Sequence, residues 1–168
     1  MIIRTAVASD ALKISVVHSK TFYAAYRDLL PESVHAAMSQ KSDTRSDGVS
    51  FGEDGAQCFV ALHKDEIVGF SACGKVEHIT LHMPQNAGEI YSLYVLPQMQ
   101  NNGIGTHLFQ RSLSFLQECG YSHGIVRSLR GSGAPGFYEK MGGVLLGGEH
   151  ITFKGAPVDV VYHVWNFT

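Results

Sequence analysis

The alternation and helical spacing of apolar residues divide this chain into a series of short elements. Ile2 to Val7 reads as a strand. Ser9 and Asp10 then open a helical pattern running to about Leu29, with Ser9 as the expected N-cap. Pro31 suits the first turn of a second helix reaching about Gln40, and Lys41 to Gly55 follows as a polar, glycine-containing loop, the best candidate for mobility. Cys58–His63 and Ile67–Lys75 are strand-like runs separated by Lys64-Asp65-Glu66, which predicts a hairpin. Glu77 to Gly88 carries no period.

The second half is as regular. Glu89–Leu96 predicts a strand rich in Tyr, Leu and Val. Gly103–Cys119 predicts a helix with Ile104, Leu108, Phe115 and Leu116 facing the core and Gly120 as its stop. His123–Leu129 is the next strand, and Ala134–Met141 a short helix. Val144–Phe153 and Val158–Asn166 form a closing hairpin through Lys154-Gly155-Ala156-Pro157. No repeat, low-complexity run or linker interrupts the series. One mixed α/β domain spanning residues 1–168 is the simplest account.

Composition narrows the class. A net charge of −2 gives no basic surface for nucleic acid, and no run approaches transmembrane length. The start lacks the apolar region of a signal peptide. Cys58, Cys73 and Cys119 are odd in number, lack metal-type spacing and sit in apolar runs, so they are expected to be reduced, mostly buried thiols of a cytoplasmic protein. The nine histidines are scattered; His78-x-x-x-His82 is the one helix-spaced pair and has no third ligand near it, so no metal is expected.

The chemistry concentrates in Gln100-x-x-Gly103-x-Gly105, between a strand end and a helix start. Free N–H groups and the helix dipole at such a junction favour a phosphate, and glycines permit close approach. Taken alone, the loop is equally an ordinary helix start. It is neither of the two common phosphate fingerprints: no Lys-Ser/Thr follows Gly105, and Leu108 stands where a dinucleotide motif has its third glycine.

Leu93-Tyr94-Val95-x-Pro97-x-x-Gln100-x-x-Gly103-x-Gly105-x-x-Leu108 resembles the acyl-CoA motif of the GNAT superfamily of N-acetyltransferases. Ala134-Pro-Gly-Phe137-Tyr138-Glu-Lys140-Met-Gly142 resembles that family's second motif. Ile3-Arg-x-Ala6 with Asp10-Ala11, and Tyr26-Arg-x-Leu-Leu30-Pro31, extend the likeness over nearly the whole chain. The resemblance implies the GNAT fold: a mostly antiparallel central sheet, splayed at its middle and flanked by about four helices.

It also implies a site. Asn101, Asn102, Gly103, Ile104, Gly105 and Thr106 would cradle the pyrophosphate of acetyl-CoA through their backbone, with Gln100 bracing the loop or touching a phosphate. Leu93, Tyr94 and Val95 would hold the pantetheine arm along a strand edge, the Val95 N–H facing the thioester carbonyl. Tyr138 would touch the sulfur as general acid, and Glu89 would be the general base for an amine that is protonated at neutral pH. Tyr23, Tyr26, Asp28, Glu77, His78 and His82 are candidate acceptor-pocket residues, although aromatics at helical spacing are more often core.

Gly131 departs from the family, whose members often carry Asn three residues before the position of Ala134; Ser132 or Arg130 could compensate. The implied activity is direct transfer of acetyl to a primary amine of a small molecule, without metal, nucleic acid or membrane. A protein or peptide acceptor and a non-catalytic acyl-CoA-binding module are the alternatives. A homodimer is the assembly the resemblance suggests.

Overall fold

The structure is a computed structural model and describes residues 1–39, 55–77, 79–80 and 83–167. Gln40, most of the polar stretch 41–55, His78 and His82 therefore lie outside the described residues. Seven strands form one sheet: β1 (Ile2–Thr5), β2 (Gln57–His63), β3 (Glu66–Lys75), β4 (Ala87–Val95), β5 (His123–Leu129), β6 (Val144–Phe153) and β7 (Ala156–Asn166). Their spatial order is β1-β2-β3-β4-β5-β7-β6. Every pairing is antiparallel except β4 with β5. Among the described residues, four α-helices flank it: α1 (Ala11–Tyr26), α2 (Glu32–Ser39), α3 (Ile104–Glu118) and α4 (Ala134–Lys140).

The apolar stripes predicted from spacing face the sheet. Ile104, Leu108 and Leu116 of α3 join Tyr138 of α4 and Val126 and Trp165 of the sheet in one core. Phe109, which the helical spacing did not single out, is also buried there. Ile14 and Val17 of α1 pack with Cys58, Val60 and Phe70 in another cluster. Gly120, at φ +84°, stops α3 as expected, since the left-handed region is cheapest for glycine.

The start of α1 departs from expectation. Residues 8–10 form a short 3-10 turn, Ser9 is exposed, and α1 ends at Tyr26, short of Leu29. Asp10 takes the capping role instead: its Oδ2 accepts the Val7 N–H at 2.9 Å, and both carboxylate oxygens accept from Arg4, at 2.6 and 3.0 Å. A carboxylate holding a guanidinium and a backbone N–H makes stronger bonds than a serine hydroxyl. The hydrogen bonds from Arg4, against the cost of burial, hold the Asp10 carboxyl below the usual carboxylate range. A depressed folded value stabilises the fold above the unfolded pKa of ~3.9, and the benefit disappears as pH falls through the folded value. Asp10→Asn should therefore lower the unfolding free energy by about 1–2 kcal/mol, the lower range because Arg4 is partly solvated. It should also flatten the acid limb of stability below about pH 4. Urea melts of both proteins from pH 2 to 7 check this; parallel acid limbs would remove the pair from the account.

Two of the three cysteines follow expectation. Cys58 and Cys73 are buried free thiols, and burial pushes both up to about 12. Cys119 is exposed, because it occupies the C-cap of α3 rather than the helix face.

Candidate functional site

The site begins with a break in the sheet. β4 and β5 run in register from Ala87↔His123 to Ile90↔Val126, and the pairing stops there. β5 continues, held by β7 as far as Leu129↔Val160. Residues 91–95 of β4 have no β5 partner among the described residues. The β3–β4 register shifts between Ala72 and Cys73, leaving Tyr91 as the extra residue of a bulge. A bulge bends its strand and resets which face each side chain points to. Here it turns Ser92 and Tyr94 to the same cavity as Glu89, while Leu93 and Val95 point to the α3 side.

Backbone alternation decides what the open edge offers. The Leu96 N–H donates to Val68 O across the β3 side at 2.9 Å. By strand alternation the N–H groups of Leu93 and Val95 face the opposite way, into the gap. The Val95 carbonyl on that side accepts from Gln100 Nε2 at 3.0 Å. Gln100 thus braces the following loop against the strand end.

That loop is built largely from its own polar groups. Pro97–Met99 form a 3-10 turn, Asn101 has φ +60°, and Gly103 has φ +77° as the N-cap of α3. Asn102 Nδ2 donates to Gln100 O at 3.0 Å and Met99 O at 3.3 Å, and His107 Nδ1 lies 2.7 Å from Gly103 O. With the Gln100 and Asn102 amides bonded inside the loop, an anion at the start of α3 would meet backbone N–H groups. The Ile104 side chain is core, so that residue too would act through its backbone; Thr106 is half-buried on the first turn.

Gly103 is required by its backbone angle, but Gly105 is not. A Cβ at Gly105 would meet only Val95 Cγ2 at 3.8 Å and Phe137 at 3.9 Å, ordinary contact distances. The protein itself leaves room for a side chain there. These distances also bring together the end of β4, the first turn of α3 and the face of α4.

Tyr138 follows Phe137 on α4. Its ring lies between Phe109, Phe137, Trp165 and His163. Burial, and then the neighbouring Tyr26 phenol, pushes its hydroxyl well above the ordinary tyrosine range, so it is a neutral O–H donor at every physiological pH. Tyr26 and Tyr94 in turn pack on the same apolar cluster, and burial raises the Tyr26 phenol.

On the face of the sheet carrying α1 lies a cavity of about 260 Å³ whose walls include His18, Glu77, Glu89, Tyr91, Tyr94, Arg127 and Lys154. Glu89 is almost fully buried; Oε1 lies 3.6 Å from Arg127 Nη2, and Oε2 accepts the Glu77 N–H at 3.4 Å. The Tyr91 hydroxyl donates to Lys75 O. Burial, then the charges of Glu77 and Glu89, raises the Tyr91 phenol above its ordinary range.

Of the acceptor candidates, Glu77 is a wall of this cavity and Tyr26 stands beside it through Tyr94. Tyr23 and Asp28 are not walls. Tyr23 is half exposed and meets His35 edge-on, and Asp28 faces solvent beside Arg27. They occupy the outer side of the helix end, since α1 turns the faces of His18 and Phe22 to the sheet. His78 lies outside the described residues.

Sequence reasoning missed Arg127, Lys154, Tyr91 and His18. Arg127 sits two residues beyond Ile125, the register partner of Glu89, and so on the same face; only the register reveals it. At position 131 the backbone has φ +85°, a region that glycine and asparagine both enter readily. Ser132 Oγ donates to Leu129 O at 2.8 Å and accepts the Ala134 N–H at 3.3 Å, tying down the start of α4.

Residues 20–143 match the model of a family described as the acetyltransferase (GNAT) family. No curated protein matches the chain. Similar solved structures include the PaiA N-acetyltransferase of Thermoplasma acidophilum in complex with coenzyme A, 14% identical with a TM-score of 0.72 over 99% of this chain and 98% of that one. An N-acetyltransferase of Staphylococcus aureus Mu50 is 18% identical, with a TM-score of 0.76 over 99% and 98%. The ribosomal-protein-S18-alanine N-acetyltransferase of Escherichia coli is 12% identical, with a TM-score of 0.70 over 99% and 94%. At these identities the likeness is one of fold.

Proposed function

The chain belongs to the acetyltransferase (GNAT) family, and from that premise we propose that residues 1–168 act as one domain transferring acetyl from acetyl-CoA to a primary amine of a small molecule. The observation that carries the reading is the meeting of Val95, Gly105 and Phe137 where β4 parts from β5. The residues fit the donor: the start of α3 presents backbone N–H groups to a pyrophosphate, and Gly105 keeps the approach clear. A cavity of about 260 Å³ is in keeping with a small acceptor, where a peptide would need an extended groove. Two buried free thiols are in keeping with a cytoplasmic protein.

Acetyl-CoA supplies an activated acyl group and a thiolate leaving group. The Val95 N–H, turned into the gap, is a donor for negative charge developing on the acyl oxygen. Tyr138, held neutral, donates to the departing sulfur. Glu89 accepts the proton of the amine, directly or through a water, and its charge attracts the ammonium form. No covalent acyl-enzyme is required, and Cys58 and Cys73 are poor nucleophiles at a thiol pKa of about 12.

The test is a calorimetric titration with acetyl-CoA, desulfo-CoA and a plain nucleotide, followed by thiol release over a panel of amines. Tight binding and turnover support the reading; binding without turnover over a broad panel would favour a regulatory module. Tyr138→Phe should lower kcat by roughly 100-fold while acetyl-CoA affinity hardly changes, because one proton donor to sulfur is removed. Equal kcat, with chemistry shown to be rate-limiting, would assign Tyr138 to packing.

A further inference from the structure

Resting on the reading of Glu89 as the base, we propose that Tyr162 and Glu149 are positioning residues that hold the Arg127 guanidinium beside it. The four side chains share one face of the sheet and follow one another across its strands. Glu89 on β4 is the register partner of Ile125 on β5, and Arg127 stands two residues further on, past the last β4–β5 pair. Arg127 is directly opposite Tyr162 on β7. Glu149 on β6 pairs with Val160, two residues from Tyr162 and so on the same face.

Each link has a physical reason. The Tyr162 ring is buried among Ala87, Ile125 and Val160, where a phenylalanine would fill the same space. Its hydroxyl donates to Glu149 Oε1 on the exposed edge strand. Burial, and then that bond to Glu149, pushes the phenol up to about 12, so it keeps the proton it donates. The Arg127 charge opposes the rise, as a cation near the phenol oxygen must. With its proton committed to Glu149, the phenol oxygen turns lone pairs to a donor, and Arg127 is the donor opposite it. Arg127 meets Glu89 at 3.6 Å, longer than a charge-assisted hydrogen bond. A guanidinium has more N–H groups than that contact uses. Among the described residues no main-chain pair joins Arg127 to β4, so an anchor on the β7 side decides how its charge is presented to Glu89.

The experiment follows the Glu89 carboxyl by carbon-13 NMR titration, with its signal assigned by its loss in Glu89→Gln, and it needs no substrate. The cavity neighbours His18, Glu77, Tyr91, Tyr94 and Lys154 are common to every variant, so differences between variants report the substituted side chains. Tyr162→Phe should raise the proton affinity of Glu89 by about three- to tenfold, because a loosened guanidinium favours the carboxylate less. Glu149→Leu should do the same, and Glu149→Gln, which still accepts the Tyr162 proton, should restore the parent midpoint. Removing the Glu149 charge would by itself favour the Glu89 carboxylate, so a rise has to come through Arg127. In an Arg127→Gln background, Tyr162→Phe should therefore add nothing. Glu149 is exposed, so its variants carry the test even where Tyr162→Phe costs stability. If neither Tyr162→Phe nor Glu149→Leu raises the affinity, or if they raise it as far without Arg127, the inference is overturned. The base reading fails separately: midpoints that move as expected, with Glu89→Gln releasing thiol as fast as the parent, would leave the anchor standing and remove the base.

Discussion

Glu89→Gln is expected to reduce kcat/KM for every amine acceptor by roughly 100–1000-fold at neutral pH, the value of a positioned general base. The substitution keeps the shape of the side chain and an acceptor oxygen for the Glu77 N–H, but removes the charge beside Arg127. An alkylammonium has a pKa near ~10.4, so a variant without a base depends on the small fraction of free amine. The deficit should therefore shrink as pH rises toward ~10, where the solvent has done the deprotonation. Acetyl-CoA affinity should remain near that of the parent, since Glu89 faces the opposite side of the sheet from α3. The measurement is thiol release from pH 6 to 10 at saturating acetyl-CoA. If Glu89 only anchors Arg127, the loss will be the same at all pH values and Arg127→Gln will reproduce it.

Gly105→Val should weaken acetyl-CoA binding by roughly 100-fold or more, the equivalent of about two charge-assisted hydrogen bonds at ~1.5 kcal/mol each. The case rests on what a side chain meets. Inside the protein a Cβ there has ordinary contacts with Val95 and Phe137, so the fold should keep most of its stability; a pyrophosphate drawn onto the first-turn N–H groups would meet the added side chain. Gly103→Val is a poorer test, because φ +77° would strain a β-branched residue whatever the ligand does. Calorimetric titration beside thermal melts separates the two effects. Full affinity in a folded Gly105→Val protein would make the loop a structural turn and remove the phosphate site.

The residues differ in how much of this they disclose. The strands and the four helices follow from period and turn residues, because each depends on neighbours within a few positions. The mostly antiparallel splayed sheet follows from the family resemblance that the two glycine-bearing motifs carry. Interactions between distant segments did not. Ser9 has the composition of an N-cap but lost to Asp10, because Arg4 lies on a strand brought alongside only by folding. The bulge at Tyr91 breaks the alternation on which any reading of Glu89–Leu96 depends, so neither Tyr94 nor Ser92 could be placed on the face of Glu89. Arg127 reads as a polar residue in a strand, and Lys154 as a solvated turn residue; their meeting with two carboxylates requires the β5 register and the closing hairpin. Tyr23 and Asp28 stand apart from the cavity walls, Tyr23 because it lies on the outer face of α1 and Asp28 because it follows the helix end.

The split between β4 and β5 also bears on how the molecule holds together. Among the described residues, four register pairs, Ala87↔His123 to Ile90↔Val126, join a leaf of strands β1–β4 to a leaf of strands β5–β7. On the proposed reading, a donor seated in the gap would lie between the leaves and use the main-chain N–H groups that face it. On that reading its occupancy would be a tie across this seam, adding about 2.7 kcal/mol at a concentration 100 times its Kd. Resistance to heat and to proteolysis would then rise and fall with the supply of activated acyl groups.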